Sequence, residues 1–510
     1  MSADRSPPQP GEAPPSGAGR SRRPLALALL LGLGFASVLG FRLGAGRVIL
    51  STEERCFEPA RQMLATGDWL VPHFRGHPRV RKPPLYTWLV AISDQITGEA
   101  SRLALRAPSA IAGVALLALT FAWGRTIAGT TGGLLAASLL ALMDMVYTEG
   151  RRGNAEMVLA LLCGLSLFSY ERLSVTRRRG LAIAFAGAVA LAFLAKATAA
   201  LLLVGLPIVA TRLLERRLGE PARPRMLGWM ALAVLPALAW YAAIVSQVPG
   251  AWQVLSSEAV LPLGVKVPVP SAGHVHPIWF HVGSIVRGAF PMSLLLPVVA
   301  WRAWKTRLWS RHPGLRLPAL GFVASFVALS LLAQKQRHYV LPLLPLLALL
   351  GADSLAALAR DARGARRLLR SSGALAAFAT LAGAGAIAFY FTELLGARES
   401  LAPVVLVLGA GLAAGIAWAG ARLRPAPLLA GILCTFWLIL AVLHGSYRVW
   451  ISEFKSDAIR MRPSAELERW DGVFRRHPFA IDLFHADDYF AERQTSGARR
   501  VVLSEGGARP

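Results

Sequence analysis

Apolar residues run through this chain in long blocks, broken by short stretches that carry arginine. Blocks such as Leu25–Gly40 are too uniformly apolar to be the buried faces of soluble helices. A helix needs about 20 apolar residues to cross ~30 Å of hydrocarbon. That rule predicts about thirteen spans, centred at about residues 34, 115, 140, 163, 188, 204, 236, 290, 324, 349, 382, 411 and 436. The polar breaks test the count. Arg177–Arg179, Arg212 to Arg225, Arg302 to Arg316, Arg360 to Arg370, and Arg422 with Arg424 all fall on the side of the N-terminus. Arginine-rich connections collect on the cytoplasmic side. The N-terminus is therefore expected in the cytoplasm and, with an odd number of spans, the C-terminus in the periplasm.

One block carries a charge at its centre. Residues 180–212 must cross and return between two basic loops, with Lys196 at the midpoint. An ammonium in hydrocarbon is costly, so two short helices meeting in a turn near the outer face are expected. A single long helix with a snorkelling lysine would strand a basic loop outside.

The predicted organisation has three parts. Residues 1–23, rich in Pro, Gly, Ser and Ala at their start, read as a disordered cytoplasmic N-terminus. With no small-residue cleavage site in view, Leu25–Gly40 reads as an uncleaved first span. Residues 24–448 form the transmembrane domain. Its first outer loop, 45–103, is too long for a connector and holds two amphipathic interfacial helices, Thr52–Ala65 and Pro84–Ile96. Residues 449–510 form a periplasmic region, read as a small α/β cap or a loosely ordered tail. The predicted fold class is an all-α polytopic membrane protein with that small outer α/β region.

Composition changes this picture in two places. The net charge of +26 would point to nucleic acid in a soluble protein; here it lies in short loops and reads as topology, with membrane lipid the surrounding partner and no nucleic acid. Three cysteines give no disulfide framework, and no Walker or dinucleotide fingerprint stands in the right context.

The outer segments carry an ordered set of motifs: TEERCFEPARQML (52–64), GDWLVPHFRG (67–76), RKPPLYTW (81–88), ALRAPSAIAG (104–113), RGNAEMVLALL (152–162), FLAKA (193–197), GHVHPIWFH (273–281) and QKQRHYVLPLLPLLALL (334–350). In this order they resemble the lipid A aminoarabinose transferases and the wider protein O-mannosyltransferase-like group. The resemblance covers roughly residues 25–350. It implies a GT-C type fold and transfer of a sugar from a polyprenyl-phosphate carrier to a lipid, glycan or protein acceptor at the periplasmic face of the bacterial inner membrane.

Such transfer breaks a C–O bond to a phosphate leaving group, so fixed cations must meet the departing charge. The acceptor hydroxyl must lose a proton to a base within hydrogen-bond reach. The resemblance assigns Glu53 as that base, in a position where the family has an Asp-Glu pair and this chain has Thr52 before the Glu. Glu53 also fits the acidic first turn of a helix opening at Ser51, with Glu54 completing a capping box. Glu156, at the outer start of a span, matches a second family acid and is a catalytic candidate; its other reading is a helix cap paired with Arg151 or Arg152. For the donor phosphate the candidates are Lys82 of the Lys-Pro motif, Lys335, Arg337 and Tyr339, with Lys196 assisting; His338 belongs to the same anion-binding outer-loop cluster. Arg81 stands where the aminoarabinose transferases have Glu, and Arg106 reads mainly as a snorkelling anchor. His274, His276 and Glu258 are weak candidates for a divalent metal, and no cofactor is required by the pattern. A transporter or flippase of a lipid-linked anion is the rival class, and a non-catalytic family member a third; no repeated halves of the transporter kind are visible.

Overall fold

The computed structural model describes residues 23–45, 51–74, 77–98, 101–216, 224–260, 275–360, 362–395 and 401–442. The expected N-terminal segment up to residue 22 and the C-terminal region 449–510 lie outside the described residues.

The described chain is helical almost throughout, as a chain in hydrocarbon must be when its backbone polar groups have no water to bond. Helix α1 (Arg23–Gly40) precedes α2 (Ser51–Thr66) and a two-residue hairpin, β1 (His73–Phe74) with β2 (His77–Pro78), in which His73 faces Pro78 and Phe74 faces His77. Helix α3 (Leu85–Thr97) follows. The two helices expected in this loop at Thr52–Ala65 and Pro84–Ile96 thus form one residue from their expected bounds. Helix α2 buries Glu53, Ala60 and Met63 and leaves Thr52, Arg55 and Arg61 exposed, a helical stripe.

Helix α4 (Arg102–Ala141) is two arms. Its ladder breaks at Ala128 and Gly129, the glycine taking φ +67°, and the second arm folds back on the first. The arms touch through glycine: a Cβ on Gly133 would lie 2.6 Å from the Phe121 carbonyl oxygen. Helix α5 (Asp144–Gly150) continues the return, and α6 (Glu156–Thr176) leads away again.

Helix α7 (Arg179–Ala200) is broken at Lys196, which has φ −167° and ψ 85°. A π turn (Leu201–Gly205) and α8 (Leu206–Leu214) complete the segment. Its contacts trace an excursion and return. Lys196 meets Glu156 at the start of α6, whereas Arg212 is back at the other end of α6, donating to the Tyr170 hydroxyl at 2.8 Å. The turn expected at Lys196 is where the chain reverses.

The remaining elements are α9 (Pro224–Gln247), α10 (Ala251–Val260), α11 (Phe280–Gly288), α12 (Leu296–Thr306), α13 (Leu308–Arg311) and α14 (Pro313–Leu331). A 3-10 turn (Arg337–Leu343) enters α15 (Leu344–Arg360), followed by α16 (Ala362–Leu395), α17 (Leu401–Ala421) and α18 (Pro425–Val442). Among the described residues six helices are long and apolar enough to cross a membrane, or seven if α11 and α12, bent by 113°, form one span. Three shorter apolar helices, Leu25–Gly40, Val405–Ala421 and Leu428–Leu440, add to them. The expected thirteen counted separately the two arms of α4 and of Arg179–Leu214, and included a span at 382 within α16, which is not among these helices. The chain is a multi-pass membrane protein.

Leu25, Leu29, Leu30 and Leu33 lie exposed on α1, an outward apolar face suited to lipid. Between helices, lipid supplies no hydrophobic drive, and close approach of small residues takes over. Gly373 and Gly420 show this between α16 and α17, where a Cβ on either would lie 2.9 Å from the other's Cα.

The far end of α6 is closed by charge. Glu215 takes Arg212 on one oxygen at 2.5 Å and Arg316 on the other at 2.6 Å, and Arg302 pairs with Asp353 at 3.1 Å. These pairs tie together the ends of α6, α8, α12, α14 and α15. The opposite end of the bundle holds the predicted site residues.

Candidate functional site

The site grows from the connection between α5 and α6, whose sequence from residue 149 reads EGRRGNAE. Asn154 organises it. Its side-chain oxygen accepts from the Glu156 N–H at 3.2 Å, and its side-chain nitrogen donates to Glu149 at 2.9 Å. Glu149 also takes Arg152 at 2.8 Å. Ser109 of α4 donates to the Asn154 carbonyl at 2.9 Å, and the Tyr86 hydroxyl lies 2.9 Å from Ser109. Arg151 donates to the carbonyls of Val38 and Leu39 at the end of α1. Gly153 lets the loop press on α4: a Cβ there would stand 2.4 Å from Leu105 Cγ.

Glu53 is locked into this frame. Its carboxylate, 3% exposed, receives Arg106 Nε on Oε1 at 2.8 Å and Arg106 Nη2 on Oε2 at 3.0 Å. The Gly153 N–H adds a third bond, to Oε1, at 3.0 Å. The guanidinium also donates to the carbonyls of Leu43 and Ala45 at 3.0 and 2.9 Å. Burial pushes the Glu53 carboxyl up, but the Arg106 charge and hydrogen bonds, with the Gly153 N–H, outweigh it and hold the pKa below the ordinary value. Arg106 is therefore an ion-pair partner joining α1, α2 and α4, not the snorkelling anchor expected of it.

Beside this lies a second cluster, gathered from three elements. Glu156 at the start of α6 receives Lys196 Nζ on Oε1 at 2.9 Å, and His338 Nε2 stands 3.3 Å from the same oxygen. The break in α7 brings Lys196 here; a continuous helix would carry the chain onward. The lysine ammonium lies 4.3 Å from the Tyr339 ring centroid, and His338 packs edge-on against that ring at 5.2 Å. Behind Tyr339 sits His281, fully buried, with neither ring nitrogen bonded among the described residues. Phe280 stacks on His276 at 4.0 Å.

The predicted residues thus separate. Glu156, Lys196 and Tyr339 come together. Glu156 pairs with Lys196 rather than with Arg151 or Arg152. Glu53 joins the neighbouring ion-pair frame. Lys335, almost wholly buried, donates to the carbonyls of His276 and Leu332, and burial draws its pKa down. It fastens segment 332–335 to segment 275–276, where Val275 bridges Gln334. Lys82 and Arg337 are exposed, Lys82 on the turn into α3 and Arg337 at the start of the 3-10 turn. His274 and the Glu258 side chain lie outside the described residues. With His276 stacked on Phe280 and arginine at position 81, no three side chains among the described residues converge as metal ligands.

Sequence reasoning passed over Glu149 and Asn154, whose signal was their placement either side of Arg151 and Arg152 in a short polar break. It placed His338 in an anion-binding outer-loop cluster with Lys335, Arg337 and Tyr339 and did not pair it with Glu156.

The chain is similar to known proteins in sequence and in fold. The profile of the dolichyl-phosphate-mannose-protein mannosyltransferase family matches residues 81–240. The chain is 29% identical over 324 residues to an undecaprenyl phosphate-alpha-4-amino-4-deoxy-L-arabinose arabinosyl transferase of Pseudomonas savastanoi pv. phaseolicola, covering 62% of this chain and 57% of that one. A second such transferase, from Pseudomonas fluorescens, is 28% identical over 298 residues, 57% of this chain and 50% of its own length. The chain therefore spans little more than half the length of these relatives. In structure it resembles ArnT from Cupriavidus metallidurans bound to undecaprenyl phosphate, with a TM-score of 0.69 at 19% identity, covering 87% of this chain and 82% of that one. It also resembles the arabinosyltransferase EmbB from Mycobacterium smegmatis, with a TM-score of 0.51 at 14% identity, covering 83% of this chain and 41% of that one. The fold is shared with these transferases, and in sequence the chain resembles the aminoarabinose transferases.

Proposed function

We propose that this chain is a bacterial inner-membrane glycosyltransferase that moves a sugar from a polyprenyl-phosphate carrier to a lipid, glycan or protein acceptor at the periplasmic face. The observation that carries the reading is the meeting of Glu156, Lys196, His338 and Tyr339 where two broken or newly started helices end. An ammonium over a tyrosine ring, at the mouth of apolar spans, suits a phosphate whose lipid tail lies between the helices. Lys196 would meet the charge that builds on the departing phosphate, which is where fixed charge lowers a barrier most. Tyr339 would hydrogen-bond the same group, and the exposed Lys82 and Arg337 would draw the anion in.

Glu53 fits a positioning role better than that of base. Both its oxygens already accept bonds and its pKa is held down, so it is a weak proton acceptor. Through Arg106 and Gly153 it fixes the loop from which Glu156 projects. The topology that goes with this reading has the N-terminus and the arginine-rich connections in the cytoplasm, thirteen crossings, and the C-terminal region in the periplasm.

The test is binding and turnover in nanodiscs. Undecaprenyl phosphate should bind the wild type and bind Lys196→Met about 10–150-fold more weakly, the equivalent of one charge-assisted hydrogen bond. An undecaprenyl-phosphate sugar should be consumed by wild type. Binding without any consumption, accompanied by movement of the lipid between leaflets, would replace the transferase by a flippase.

A further inference from the structure

We propose that His338 is the proton acceptor of this site, held by Glu156, and that the acceptor it serves presents a hydroxyl group. The proposal rests on the transferase reading above and adds to it the base that takes the proton of the expected acceptor hydroxyl.

The 3-10 turn Arg337–Leu343 packs against α6, α11 and α14, and it presents His338 to Glu156. The imidazole is part-exposed, at 18%, beside a carboxylate at 13% and a lysine at 16%. Its Nε2 faces Glu156 Oε1 at 3.3 Å. A carboxylate on one ring nitrogen fixes the proton there and leaves the lone pair on the other. That other nitrogen, Nδ1, makes no hydrogen bond among the described residues and is not closed off, unlike both nitrogens of the deeply buried His281. The ring is further fixed by its edge-on packing against Tyr339. An oriented imidazole with an accessible lone pair is the arrangement of a general base, and the carboxylate behind it stabilises the cation formed.

The carboxylates nearby are less suited. Glu53 is saturated by Arg106 and Gly153. Glu156 already holds Lys196 at 2.9 Å and His338 at 3.3 Å on one oxygen. The groups around His338 are Glu156 from α6, Lys196 from α7 on the same carboxylate oxygen, His281 from α11, and Tyr339 beside it.

The step balances without a co-reactant. The acceptor oxygen forms its bond to the sugar's anomeric carbon while its proton passes to Nδ1. The anomeric C–O bond to phosphate breaks, and its electron pair leaves on the polyprenyl phosphate beside Lys196. The imidazolium then releases its proton to the outer aqueous phase. A base is required only where the nucleophile carries a proton, so the arrangement selects for a hydroxyl over an ionised phosphate or carboxylate.

Two measurements decide this. Diethyl pyrocarbonate labelling of the full chain in nanodiscs, read by peptide mass spectrometry, needs no donor. It should place an adduct on His338 and none on His281; an unlabelled His338 would overturn the proposal whether or not the chain is a transferase. Turnover of undecaprenyl-phosphate 4-amino-4-deoxyarabinose and of polyprenyl-phosphate mannose, with hydroxyl-bearing acceptors, then compares wild type with His338→Gln. The variant should bind undecaprenyl phosphate within twofold of wild type, keep its KM, and lose kcat by about 10²–10⁴-fold, the usual contribution of a general base. Loss of lipid binding in His338→Gln, or turnover within threefold of wild type, would refute it. A wild type that binds the lipid but turns over neither donor would speak against the transferase reading, with the labelling result still deciding the availability of His338.

Discussion

Removing Arg106 should test whether Glu53 is a tether or a base. In Arg106→Met the Glu53 carboxylate keeps one donor, the Gly153 N–H, and remains buried. Breaking one side of a buried ion pair costs about 3–5 kcal/mol, because the charge left behind has neither water nor partner. Glu53→Gln is milder. The amide oxygen still accepts a bond, but Arg106 keeps only the Leu43 and Ala45 carbonyls, a loss of about 1.5–3 kcal/mol. In the double variant the uncompensated charge is gone, so its loss should fall short of the sum of the singles by about 2–3 kcal/mol. At about 2.1 cal/mol/K per residue, a chain of 510 residues unfolds with roughly 1 kcal/mol/K, so each kcal/mol moves the midpoint by about 1 °C. The assay is thermal unfolding in detergent followed by tryptophan fluorescence. Arg106→Met should fall by about 3–5 °C and Glu53→Gln by about 2–3 °C. Activity should fall in parallel with the stability loss. Glu53→Gln with an unchanged midpoint and no turnover would refute the tether and return Glu53 to the role of base.

The remaining predictions address other parts of the molecule. Because Arg106 holds the folded-state pKa of Glu53 below its ordinary 4.5, the stability it contributes is complete above that value and lost as pH falls further through the folded pKa. Melting curves of wild type and Glu53→Gln should therefore converge in acid; a constant gap down to pH 2 would contradict this. Glu215→Ala leaves Arg212 and Arg316 facing each other across a vacated carboxylate, and should cost about 3–5 kcal/mol in unfolding while undecaprenyl phosphate binding stays within twofold. A binding loss there would mean that the two ends of α6 are coupled. Gly153→Ala drives a Cβ to within 2.4 Å of Leu105 Cγ and should destabilise by about 1–3 kcal/mol, with turnover reduced because the loop carrying Glu156 is displaced.

Much of the architecture is legible in the sequence. The amphipathic helices of the first outer loop formed within a residue of their expected ends, since their stripes of buried positions decide both period and register. The reversal at Lys196 followed from electrostatics alone: two basic loops had to share a side, and a lysine had to reach a polar partner. The site was harder, because charge pairing is a long-range choice. Nothing local says that Arg106 will take Glu53, 53 residues away, or that Glu156 will pass over Arg151 and Arg152 for Lys196. Lys335 shows the same limit. A basic residue in an outer loop reads as an anion site, yet its ammonium turned inward to the carbonyls of His276 and Leu332.

The two ends of α6 show how the fold separates holding from working. At the far end Glu215 spends one oxygen on Arg212 and the other on Arg316, Arg212 adds Tyr170, and Arg316 adds the carbonyls of Trp309 and Ser310. Each of these three charges is taken up by a neighbour, which ties the helix ends together. At the near end the same separation recurs over a shorter distance. Glu53, Arg106, Glu149, Arg152 and Asn154 bond one another into a frame. Glu156 stands on that frame, yet only its Oε1 is engaged among the described residues, and His338 beside it keeps Nδ1 open. Both groups are part-exposed, so a substrate entering at this end can meet them. By that reasoning the frame can be cut and the molecule should fail by unfolding. Cutting His338 should leave it folded and idle.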